Sequence, residues 1–313
     1  MVRSYYDIIR NSKPVKKMVA TTKKLVLPGF DGIPLFDVIL FFVKGIYKGS
    51  ITVRAAALSF DFFMALFPAI LFFFTLIPYI PIDGFQQTLI GLIQDTLPPN
   101  TFDEVNGTLE DIVLKKNTGW LSLSFILALV FSTNGTSAII EAFNHTYHTI
   151  ETRSYMKQRL IALFLVFVLS GILILATAMI IFGTEAIQYV YSLGWIKDSF
   201  TFYMIATLKW VVLVALIYFI FSFLYYFAPA KRKAFRFISA GSTLATILMI
   251  LTSVGFDYYI SNFSRYNALY GSIGTLMIIL FWIYLNAIIC LIGFELNASI
   301  TVAKRKRFLT FKI

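Results

Sequence analysis

The sequence predicts an all-α, polytopic membrane protein: six transmembrane helices, N- and C-termini cytoplasmic, and short amphipathic helices at the interfaces. Three observations lead there. Of the 313 residues, 58% are hydrophobic and only 14% charged, with 33 phenylalanines. A soluble domain carries roughly a quarter charged residues, so this chain has too little polar surface to cover itself in water. The apolar residues also gather into runs of the length that a bilayer span needs, about 20 residues. They fall at about 55–80, 120–141, 159–182, 202–227, 237–259 and 270–298. Finally, the cations between the runs are lopsided, which fixes an orientation.

Each run is expected to be helical, because lipid offers backbone N–H and C=O groups no partner outside a helix or a closed barrel. The strand-like alternation of a barrel is absent. The region before the first run holds Arg3, Arg10, Lys13, Lys16, Lys17, Lys23, Lys24, Lys44, Lys48 and Arg54. The 2–3 connection adds Arg153, Lys157 and Arg159, the 4–5 connection Lys231, Arg232, Lys233 and Arg236, and the C-terminal tail Lys304 to Arg307 and Lys312. The opposite side holds Lys115, Lys116, Lys197 and Arg265. Cations collect on the cytoplasmic side, so both termini belong there. The net charge of +11 is then a topology signal and a footing for anionic lipid headgroups, and no nucleic-acid partner is expected.

Along the chain, residues 1–34 read as a basic cytoplasmic tail, and the first apolar run lies too far in and is too long for a cleaved signal peptide. Residues 35–300 form the membrane domain and 301–313 a second basic tail. Phe36, Ile39, Leu40, Val43 and Tyr47 recur at helical spacing, which predicts an amphipathic helix on the inner surface. The extracytoplasmic connection 81–119 carries two short apolar stripes on either side of Pro98-Pro99, read as two short helices capping the bundle or resting on the outer leaflet.

Ionisable side chains inside spans are costly and usually face the bundle interior or a wet cavity. Asp61, Lys209 and Asp257 are such residues, with Glu141 and Glu295 at inner ends. By helical rise Lys209 and Asp257 share the outer half of the membrane and are expected to be neighbours. Ser239, Ser242, Thr243, Thr246, Ser253 and Asp257 keep to one face of the fifth span. Two readings stay open: the wall of a hydrophilic passage, or ordinary helix packing through small hydroxyl residues. Pro68 removes a backbone donor in mid-span and should kink the first helix. Asp61, below it, is expected to point into the bundle, where it could bind a cation, relay a proton or accept hydrogen bonds.

Neither a phosphate loop, a Cys/His metal cluster nor a nucleophile elbow is present in the sequence. His145 and His148 near Glu141 read as interfacial residues, and the single Cys290 excludes a disulfide framework within one chain. No cofactor, metal or catalytic residue is expected.

Several motifs carry a resemblance: R-A-A-A-L-S-F and A-L-F-P at 54–60 and 65–68, F-N at 143–144, and Y-F-A-P at 226–229 before a basic turn and Gly241. L-Y-G-S-I-G-T, F-W-I-Y-L and L-I-G-F-E-L-N follow at 269–275, 281–285 and 291–297. In order and spacing these resemble the YihY/BrkB family of bacterial inner-membrane proteins, from about residue 35 to 300. Phe294 departs from the small residue usual before the glutamate, and Asp61 from an aromatic or small polar one. The resemblance implies six spans in the cytoplasmic membrane, singles out Pro68, Asn144, Tyr270, Gly271, Trp282, Gly293 and Glu295, and links some members to envelope lipids. The family's tRNA-processing ribonuclease label is regarded as misassigned. The leading expectation is a transporter-like, non-enzymatic protein that moves or delivers a lipid or other amphiphile for envelope homeostasis. The alternative is a scaffold for an envelope-assembly partner bound through 81–119.

Overall fold

A computed structural model describes residues 20–81, 84–96, 106–107, 110–111, 113–144, 153–193, 199–230, 236–261 and 264–310. Every regular element among them is helical. In order they are α1 Leu35–Lys48, α2 Ile51–Leu76 with a 3₁₀ turn Ile77–Tyr79, α3 Phe85–Thr96 and α4 Thr118–Asn144. Then come α5 Tyr155–Ser192, α6 Ser199–Phe227, α7 Ala240–Ser261 and α8 Ser264–Thr310. Six are long and apolar enough to cross a bilayer, over Ile51–Tyr79, Thr118–Asn144, Tyr155–Ile180, Thr207–Phe227, Ala240–Ile260 and Gly274–Arg307. The Pro98-Pro99 turn, the stripe following it up to residue 105, His145, His148 and the Lys231–Lys233 turn lie outside the described residues.

Helix starts follow local chemistry. Asn117 Oδ1 accepts the Trp120 N–H at 3.1 Å and Ser239 Oγ accepts the Ser242 N–H at 3.1 Å, each satisfying a donor that the first helical turn leaves open. The last helix exceeds its hydropathy boundary. With 47 residues it runs roughly 70 Å, more than twice the hydrocarbon thickness of about 30 Å. Residues 301–310, expected as tail, therefore continue the helix, because Lys and Arg propagate helix well.

The chain divides into two compact units, residues 59–135 and residues 1–58 with 136–313. In the smaller, Thr75 Oγ1 meets Ser124 Oγ at 2.9 Å, and the Phe62 ring lies 3.7 Å from the place a side chain on Gly135 would fill. Gln86, at the start of α3, donates to the Ile77 and Ile80 carbonyls at 3.1 Å each and ties α3 to the end of α2. Helix α2 continues through Pro68, and its Phe60, Phe67 and Phe73 are exposed, as lipid-facing positions can be.

In the larger unit, α8 packs along α7 and α1, and α6 packs along α5 and α7. The α7–α8 crossing is a backbone contact: a Cβ on Gly241 would collide with the Gly293 carbonyl, and one on Gly293 with the Tyr225 hydroxyl and, at 2.8 Å, the Ala245 Cβ. Gly241 N–H donates to Asn297 Oδ1 at 2.8 Å. Residues 25–34, expected within the tail, fold back onto this unit. Phe30 and Ile33 are buried with Val38, Leu296, Ile300 and Ala303. Asp31, in a turn with φ of 55° between Gly29 and Gly32, pairs with Arg236 and Lys304 at 2.8 Å each. These apolar side chains and the acid explain why the segment is held.

Overpacking a close crossing costs about 1–3 kcal/mol. Gly241→Leu is therefore expected to lower the thermal unfolding midpoint of detergent-purified protein measurably. Gly171→Leu, where nothing lies within 4 Å of the added carbon, should leave it within error.

Candidate functional site

The densest set of buried polar groups lies where the C-terminal ends of α4 and α6 meet the second half of α8. Arg54 Nη1 donates to the Ala142 carbonyl at 2.6 Å, and Arg153 Nη2 donates to the Ala228 carbonyl at 2.5 Å. Cations placed at helix C-termini satisfy orphan carbonyls and complement the helix dipole. Asn144, 3% exposed, accepts the Ala230 N–H at 3.2 Å, so it bridges the end of α4 to the residues after α6. These contacts place Arg54 and Arg153 on helix-end carbonyls, while Arg236 and Lys304 meet on Asp31.

Glu295 occupies the centre and is 0% exposed. A Cβ on Gly45 of α1 would stand on the Glu295 carboxylate, so only glycine lets α1 lie over the acid. One turn on, a Cβ on Gly49 would stand 2.8 Å from Arg54 Nη2. The two charges act on each other electrostatically beneath the same glycine face of α1. No hydrogen bond joins Arg54 Nε or Nη2 to the Glu295 carboxyl, so the two groups act on each other through space.

The aromatic floor is equally specific. Phe143 and Phe294 stack face to face, 4.1 Å apart and 3° from parallel, and Tyr225 leans on both. The Tyr225 hydroxyl, fully buried, donates to the Cys290 carbonyl at 2.8 Å. Phe294 thus fills space against Phe143 that a small residue would leave open.

Of the residues singled out from the sequence, Asn144, Gly293 and Glu295 come together here. Arg54, Gly45 and Tyr225 belong to the site although sequence reasoning misses them. Arg54 reads as one more boundary cation, and the Gly45–Gly49 spacing of one helical turn is the available signal. Ser239 joins the edge of the site: its Oγ accepts from Asn297 Nδ2 at 2.8 Å and meets Ser242 Oγ at 2.8 Å. The rest of the hydroxyl stripe bonds to its own helix. Thr243 donates to the Ser239 carbonyl, Thr246 to Ser242 and Ser253 to Met249, at 3.1, 2.8 and 2.8 Å. Ser242 and Thr246 are buried while Thr243 is exposed, so the inner half of the stripe forms a packing face.

Lys209 and Asp257, expected as neighbours, lie on α6 and α7. Asp257 is exposed on α7. Lys209 lays its methylenes against Gly183 of α5 and its Nζ 5.4 Å from the Trp210 ring. Equal depth sets height but not azimuth. Asp61 is half-buried in the smaller unit. The Trp282 ring packs against Phe256 with centroids 4.6 Å apart and planes tilted by 34°, and its carbonyl accepts from Asn286 at 2.8 Å. Tyr270 and Gly271 lie within α8, their side chains outside the described set. Among the described residues no group of three or more His, Cys, Asp or Glu could hold a metal.

Truncating one of two buried polar groups that act on each other leaves the other poorly solvated, at about 1–3 kcal/mol. Arg54→Met and Glu295→Gln are each expected to lower unfolding stability in detergent, and the double variant to lose less than their sum. A double-mutant cycle with no coupling would contradict the pairing.

Comparison with known proteins gives the lineage. Residues 42–310 match the family described as virulence factor BrkB. The chain is 32% identical over 254 residues to the putative ribonuclease-like protein YfkH of Bacillus subtilis, covering 81% of this chain and 90% of that one. It is 28% identical to a UPF0761 membrane protein of Aliivibrio salmonicida (83% of this chain, 82% of that one) and 26% identical to one of Idiomarina loihiensis (70% and 74%). No solved structure matches it. With its helical membrane architecture and the Asn144–Gly293–Glu295 core inside the matched region, the chain belongs to the virulence factor BrkB family of membrane proteins.

Proposed function

We propose that this protein is a transporter-like component of the cytoplasmic membrane that moves or delivers a lipid or other amphiphile, without catalysing a reaction. The observation that carries the reading is the Glu295–Arg54 pair beneath α1. An acid that is 0% exposed within a span is expensive and marks function by default. Packing alone does not call for it: an apolar side chain of similar volume would do as well or better.

The lid over this pair also supports the reading. Helix α1 presses Val38 and Gly45 inward and leaves Ile39, Leu40, Val43 and Tyr47 exposed, a face suited to the membrane surface. A helix seated on lipid with one face and on a buried charge pair with the other can couple the two. The arriving head of an amphiphile would compete for Arg54, loosen α1 and open the closed basic end. On this reading the basic end faces the cytoplasm. The ribonuclease in the name of the Bacillus subtilis relative belongs to that protein and enters no step here.

Purified protein reconstituted in liposomes with a fluorescent phospholipid is expected to move label across the bilayer several-fold faster than empty liposomes. Glu295→Gln should slow it by about tenfold while inserting normally. Wild-type rates equal to those of empty liposomes would overturn the proposal.

A further inference from the structure

Beside α1, away from the buried pair, lies a second feature of different chemistry. A cavity of about 460 Å³ is lined by Lys23, Pro34, Asp37, Leu40, Phe41, Ala303, Lys306 and Arg307, a size within the usual range for small-ligand sites. Its charged groups come from three chain segments: Lys23 before the turn, Asp37 on α1, and Lys306 with Arg307 on the last turns of α8. One carboxylate against three cations leaves it positive.

The cations are held over apolar surface. Lys23 Nζ lies 5.2 Å from the Phe36 ring centre and Lys306 Nζ 5.7 Å from that of Phe41, both within cation–π range. Arg307 Nη1 donates to the Gly32 carbonyl at 3.1 Å, which fixes the guanidinium on the folded-back segment. Leu40 belongs at once to the cavity wall and to the exposed apolar face of α1. Positive groups therefore rim a hollow whose edge continues into a greasy strip. Such a surface is complementary to a molecule with an anionic head and an acyl tail leaving along α1. A soluble anion would use the cations but not the strip.

We infer that this groove between α1 and the end of α8 binds the headgroup of an anionic phospholipid. The inference deepens the lipid-handling reading and rests on it for the class of ligand. It explains the helical continuation of α8 past the bilayer thickness: only the extra turns bring Lys306 and Arg307 beside α1.

The test is native mass spectrometry of the full chain released from detergent micelles carrying phosphatidylglycerol, phosphatidylcholine or glycerol phosphate. Wild type is expected to retain phosphatidylglycerol over phosphatidylcholine. Lys23→Gln combined with Lys306→Gln should weaken that binding about tenfold, since each cation near an anionic headgroup contributes on the order of a few-fold. Lys306→Arg should preserve it, and Lys115→Gln, on an exposed pair with Asp111 in the smaller unit, should not affect it. Equal retention of the two lipids by wild type would overturn the inference, as would displacement by glycerol phosphate at equal concentration, which would reveal a phosphate site. Because binding is read rather than movement, phosphatidylglycerol retention without lipid translocation would sink the transport reading and leave the groove standing.

Discussion

In a bilayer, apolar side chains gain nothing by leaving the acyl tails, so helices associate only where they can pack closely or share hydrogen bonds. The contact that meets this demand is the α7–α8 crossing, where Gly241 sits against the Gly293 carbonyl and reaches Asn297. Much else depends on it. With α8 drawn onto α7, Tyr225 can close on the Cys290 carbonyl, Phe294 can stack on Phe143, and Glu295 falls under Gly45 of α1. Glu295 is 0% exposed beside that crossing, and charges in a medium of low polarity interact more strongly and cost more to separate.

The basic end is built in two shells around that crossing. Inside are the acid, its arginine, the aromatic stack and the helix-end carbonyls held by Arg54 and Arg153. Outside, the folded-back segment with Phe30 and Ile33 is pinned through Asp31 to Arg236 and Lys304. Helix α1 belongs to both shells. Gly45 of its packing face lies against Glu295, and its opposite face is apolar and exposed.

The six spans are legible because length and hydropathy suffice for them. What hydropathy hides is where a helix stops once it leaves lipid. Residues 301–310 are too basic to read as span, yet they carry on the helix. Helix α1 is recognisable by Ile39, Leu40, Val43 and Tyr47, while its packing face, Leu35, Val38, Phe41 and Phe42 with Gly45, is apolar as well, so hydropathy alone does not tell the two faces apart. Glu295 is legible as an odd charge, but its partner is not: Arg54 looks like any residue of the positive side. For Lys209 and Asp257, matching depth alone does not say whether two side chains meet on facing surfaces. The hydroxyl stripe of α7 is ambiguous for a physical reason. Ser and Thr can satisfy themselves on the carbonyl four residues back, which suits packing as well as a wet wall.

The central claim is that the packing around Glu295, with Phe143, Tyr225 and Phe294 at 0% exposure, keeps water from these side chains. Hydroxyl-radical footprinting of the protein in lipid nanodiscs addresses it directly, because the radicals form from water at the labelled site. Phe143, Tyr225, Cys290 and Phe294 should remain unmodified under doses that mark Tyr47, 85% exposed. Modification of the stack and Cys290 at rates comparable to Tyr47 would show a wet interior and contradict the account.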